Sequence, residues 1–78
     1  MGESSNHYRG LVLAAAVRIV LRDTRLARQH LKPLLHVSNG TFYRILRGQP
    51  VKQNSFARWL EQLAMIRHEW QARAPQND

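Results

Sequence analysis

The chain is expected to be all-α, a compact bundle of about four helices. Three observations predict this. Apolar residues recur at three- and four-residue spacings through residues 8–22 and again through 56–70, the period of a helix. No stretch alternates β-branched and polar residues as a half-buried strand does. Prolines and glycines are few and fall mostly between the periodic segments, where they act as punctuation. With 78 residues the chain makes one small domain, expected to be ordered over about 7–73 with short flexible tails at 1–6 and 74–78. A core of this size is marginal. The absence of cysteine removes disulfides and thiolate metal sites, so oligomerisation is the remaining aid to stability.

The first helix is expected over residues 8 to about 22, capped by Ser5 or Asn6. It is unusually apolar. Tyr8, Leu11, Val12, Ala15 and Ile19 form one face, and Leu13, Val17, Val20 and Leu21 form nearly the opposite one. A small domain rarely covers both sides of one helix. The second face is therefore expected either to meet a partner subunit or to be wrapped by helices 2 and 4. Asp23 or Thr24 breaks or re-caps the chain. A second helix lies somewhere within 25–36 and carries Leu26, Leu31, Leu34 and Leu35 inward. Pro33 requires that helix to start late, near Gln29, or to kink, because a proline in a helix interior removes a hydrogen bond and crowds the preceding turn.

The third helix is short and chemically two-sided. Ser38 is placed to cap it, Gly48 to end it in a left-handed conformation, and Pro50 follows outside. Phe42, Ile45 and Leu46 share one side; Gly40, Tyr43, Arg44 and Arg47 share the other. In the competing reading Asn39-Gly40 is a plain turn and Thr41 caps a shorter helix. A fourth helix, capped by Asn54 or Ser55, runs to about residue 73. Phe56, Trp59, Leu60, Leu63, Ile66 and Trp70 face inward, Arg58, Glu61, Gln62, Met65, His68 and Glu69 face outward, and Glu69 pairs with Arg73.

Charge points to a partner. Twelve Lys and Arg against five Asp and Glu leave a formal net charge of +7. No acid lies between Asp23 and Glu61, whereas Arg25, Arg28, Lys32, Arg44, Arg47, Lys52 and Arg58 all do. A basic segment centred on a helix with guanidinium, phenol and bare backbone on its outer side suits a polyanion, and duplex DNA in particular. RNA fits less well, because the aromatics lie mostly on the inward stripe and form no exposed stacking platform.

Leu31-x-x-x-Leu35-x-Val37-Ser38-x-x-Thr41-Phe42-x-Arg44-Ile45-Leu46 resembles the helix-turn-helix of bacterial and phage repressors. Arg47-Gly48, a loop and an amphipathic helix from Phe56 to Ile66 are similar to the phage repressor and Cro class. The resemblance covers roughly residues 11–66. The chain departs from that pattern at Lys32, where the family has a small residue, at His36, where it has glycine, and at Pro33. The resemblance implies that the third helix enters the major groove. Ser38, Asn39, Gly40, Tyr43 and Arg44 would then face base edges, with Arg44 the candidate for a bidentate contact to guanine. Arg28, Lys32, Thr41, Arg47 and Lys52 would serve phosphates. It further implies a small transcriptional regulator, a repressor that occludes a promoter as a homodimer on a pseudo-palindromic operator. Dimer contacts are expected from Leu13, Val17, Val20 and Leu21 of the first helix or from Trp70.

Other chemistries find little support. His30 and His36 are six residues apart and do not share a helical face, so no metal site is expected. Glu61 and Glu69 have no second acid near enough for a dyad, and no nucleophile elbow or Gly-rich phosphate loop occurs, so no enzyme, cofactor or small-molecule effector is expected. The apolar run Leu11–Leu21 is too short to span a bilayer and contains Arg18, and no cleavage site follows it. A cytoplasmic protein without membrane contact is the resulting expectation. A reading from another class is a protein-interaction module that keeps a helix-turn-helix frame and modulates a nucleic-acid enzyme or another regulator.

Overall fold

A computed structural model describes the backbone of residues 2–73 and the side chains of 5–71. It is all-helical: α1 (Gly2–Thr24), α2 (Arg28–Leu34), α3 (Asn39–Leu46) and α4 (Gln53–Arg73), with no strand among the described residues. The all-α expectation holds. The expected tail at 74–78 and the Arg73 side chain lie outside the described residues.

The core is one contiguous cluster. Leu13, Val17 and Val20 of α1 meet Leu31 and Leu35 of α2, Phe42, Ile45 and Leu46 of α3, Val51, and Leu63 and Ile66 of α4. Leu13, Val17 and Leu31 are fully buried. Phe56, Trp59, Leu60 and Trp70 pack half-buried at its edge, so the inward stripe of α4 is as the spacing predicts, and Met65 faces out. The two faces of α1 take the opposite roles to those expected for a dimer. Leu13, Val17 and Val20 are interior to the single chain, and Leu21 and Trp70 pack against the same core. Leu13, Val17 and Val20 are buried by the rest of the chain and cannot form a subunit contact, whereas Leu21 and Trp70 stay half-buried at the edge of the core. Tyr8, Leu11 and Ile19 are the residues left outside.

α1 begins at Gly2, so residues 2–6 are helical and Ser5 and Asn6 lie inside the helix, not at its cap. A tertiary contact holds this turn: the Val51 amide donates to the Asn6 carbonyl at 2.9 Å, and Arg9 donates to the Asn6 side chain at 2.7 Å. At the other end Arg25 takes a left-handed φ of 61° and donates to Leu21 O. The Thr24 hydroxyl donates to Val20 O and accepts from the Leu26 amide, so Thr24 closes α1 and turns the chain. Asp23 bridges Arg22 and Arg67 at 3.3 and 3.0 Å, fastening the end of α1 to α4.

α2 starts at Arg28, late enough to tolerate Pro33. The ring costs only the bond to the Gln29 carbonyl, which is on the exposed side, and the helix ends one residue later. His36 then adopts a φ of 59°. The turn thus demands the conformation that glycine would supply most readily, and a histidine provides it. α4 begins at Gln53, with the Lys52 carbonyl accepting from the Phe56 amide; Asn54 and Ser55 are in its first turn and not at the cap.

Candidate nucleic-acid interface

α3 is built as the chain pattern predicts. The Ser38 hydroxyl accepts from the Thr41 amide at 3.3 Å and donates to the Thr41 hydroxyl at 3.1 Å. Ser38 is therefore the cap, and the shorter helix starting at Thr41 does not occur. Gly48 has a φ of 76° and ends the helix, its amide donating to Ile45 O. Phe42, Ile45 and Leu46 anchor the inner side. Arg18 of α1 donates to the Leu46 carbonyl at 3.2 Å, placing a guanidinium at the negative end of the helix.

The outer side carries Asn39, Gly40, Tyr43, Arg44 and Arg47, all exposed. Tyr43 is only half covered. It is 53% exposed and touches Phe42 edge-on, with centroids 6.4 Å apart. Gly40 meets no atom within 4 Å of where a Cβ would stand, so nothing inside the fold demands glycine there. The Lys32 stem is half-buried, and its ammonium leaves the α2–α3 crossing to donate to Asn39 Oδ1. Through that bond the end of α2 orients the first residue of α3.

The sequence-predicted residues do not all stand alike. Ser38 spends its proton and a lone pair on the cap, which leaves it little to offer a base. Thr41, having accepted from Ser38, keeps its own hydroxyl proton for an outside acceptor. Thr41 and Arg44 line a groove of about 300 Å³ with Gln49, Lys52, Ser55 and Trp59, so Lys52 and Arg44 face one channel between α3 and the start of α4. Arg28 sits at the start of α2, the end remote from the α2–α3 turn, and does not line this groove.

One contributor was not foreseen. The Arg58 guanidinium lies 5.7 Å from the Trp59 ring centroid and lines a second groove with His36, Ser38 and Thr41. Trp59 and Thr41 are shared by both grooves, so a cationic margin follows α3 on its α4 side. Its signal in the sequence was the placement of Arg58 inside the acid-free segment, beside a tryptophan of the inward stripe.

Among the described residues no cluster of His, Asp or Glu is arranged to hold a metal, and no helix is long and apolar enough to cross a membrane. Comparison with family models, with curated proteins and with solved structures finds no match.

Proposed function

We propose that the protein binds duplex DNA sequence-specifically through the outer face of α3 and acts as a small transcriptional regulator. In this reading the regulator acts as a repressor by occlusion. A domain that covers a promoter needs nothing more than a site, and a homodimer on a pseudo-palindromic operator doubles the contact. Such a protein works in the cytoplasm and needs no cofactor.

The observation that carries this reading is the outer side of α3. It is exposed, rich in groups that recognise nucleic acid, free of acids, and bare of any side chain at Gly40 where a groove would press closest. Arg44 and Tyr43 would meet base edges, with Asn39 beside them. Arg47, Lys52, Thr41 and Arg58 would take phosphates on either side and fix the register. The same arrangement gives a protein partner no broad apolar surface on α3, which is why the interaction-module reading is the weaker of the two.

The test is selection of bound sequences from random duplex DNA, followed by titration against salt. If roughly 6 phosphates are neutralised per dimer, log K falls against log salt with a slope near −5, from about −0.9 per phosphate. Recovery of no preferred sequence, with binding indifferent to salt, would exclude the reading.

A further inference from the structure

Three of the five large hydrophobic residues that stay exposed among the described residues lie on the outer face of α1. Tyr8, Leu11 and Ile19 are 69%, 53% and 41% exposed, and exposed Ala15 lies between them. Around the helix these four and Arg22 fall within about 80° of one another. Val12 stands at the margin, where with Tyr8, Arg9 and Phe56 of α4 it lines a shallow hollow.

We propose that this face joins two copies of the chain, α1 crossing its symmetry mate antiparallel at Ala15. The proposal rests on the homodimer part of the reading above and is independent of the DNA part. A two-fold contact pairs each residue with a partner that is paired back to it. With Ala15 on the axis, Leu11 meets Ile19 of the other copy and Tyr8 meets Arg22, each pair occurring twice. The spacing along the strip, three, four, four and three residues, is the same in both directions, with one large aliphatic residue on each side of Ala15. Alanine at the crossing lets the helix axes approach to the short end of the usual range, about 8 Å.

Charge agrees with this register. The Arg22 side chain is 75% exposed, and the crossing lays it against a tyrosine ring instead of another cation. Arg18, the other base at the margin, is held by the Leu46 carbonyl. The hollow beside Tyr8 and Val12 opposes the turn that carries Ile19 and Arg22 of the second copy. Five side chains on one helix face make a contact smaller than the roughly 800 Å² that stable complexes bury on each side. A contact of this size makes a weak dimer, seen at high protein concentration.

The chain has no cysteine, so single cysteines report the contact directly. Without DNA and under mild oxidation, Ala15→Cys is expected to cross-link several-fold faster than Met65→Cys, which is exposed on α4. Mixed Leu11→Cys and Ile19→Cys chains should couple to each other in preference to themselves. Ala15→Arg, at an exposed position where arginine is a good helix former, should keep the helicity and abolish self-association seen by sedimentation. Equal cross-linking of Ala15→Cys and Met65→Cys, or an unaltered chain that stays monomeric at the highest soluble concentration, overturns the proposal; the face is then bare or meets another partner. Neither result bears on DNA binding by the single domain, which the salt titration reads separately.

Discussion

Gly10 of α1 and Gln49 of the α3–α4 loop meet backbone to backbone. A Cβ on Gly10 would stand 2.1 Å from the Gln49 carbonyl oxygen and 2.7 Å from that of Gly48. Together with the bond from the Val51 amide to Asn6 O, this contact fastens the loop between Arg47 and Lys52 to α1. Two bases of the candidate DNA surface thus flank a segment whose position depends on a missing side chain.

Gly10→Ala is accordingly expected to destabilise the fold, although alanine is the better helix former by about 0.8–1.0 kcal/mol. Overlap with backbone leaves no flexible neighbour to yield, and overpacking of this kind costs about 1–3 kcal/mol. The midpoint of urea denaturation should fall. A midpoint that rises would mean that the loop does not rest on Gly10.

Gly40→Ala should have the opposite effect on stability. This glycine has a helical backbone, meets nothing in the fold, and weakens the helix by about 0.5–1 kcal/mol relative to alanine. Its replacement is expected to raise the urea midpoint and yet weaken duplex binding, because the added methyl stands between α3 and the groove. Unchanged DNA affinity in a stabilised variant would remove Gly40 from the interface.

These two glycines show what could and could not be seen in the chain beforehand. Ser38, Gly48 and the Phe42–Ile45–Leu46 side were legible because capping, stopping and inner-face residues act within one helix. Gly10 was not, because its requirement comes from a loop some forty residues away, and its trace was only a lone glycine in an alanine-rich helix. The faces of α1 were correctly separated, but both are apolar, and only packing by the other three helices decides which one is interior. Pro33 left a late start or a kink open for α2, and the left-handed His36 could be suspected from the turn it occupies and from the glycine that the resembled family has there.

Lys32 and Asn39 make a third prediction. With Oδ1 accepting from the ammonium, Asn39 has its amide N–H groups left to donate. It is then set to donate to an acceptor such as guanine N7, thymine O4 or a phosphate, more than to pair bidentately with adenine. Lys32→Met retains the stem and removes the tether. The base preference at the position Asn39 faces should broaden, in addition to a general loss of affinity. A purely uniform loss would make Lys32 a phosphate ligand and nothing more.

Arg44 and Lys52 line the same groove but should fail differently when removed. A guanidinium that forks onto a guanine edge is worth about 1–3 kcal/mol of discrimination at one base pair. Arg44→Ala should therefore lose that much affinity for the preferred sequence, little for sequences already altered at that pair, and all preference there. Lys52 carries a point charge on a flexible stem, suited to a phosphate, which is the same in every sequence. Lys52→Ala should weaken binding to all duplexes alike and reduce the magnitude of the salt slope by about 0.9 for each phosphate that is no longer neutralised. Binding isotherms for a preferred and a scrambled duplex at three salt concentrations separate the two outcomes. If Arg44→Ala behaves as Lys52→Ala does, α3 lies along the backbone and does not read the groove.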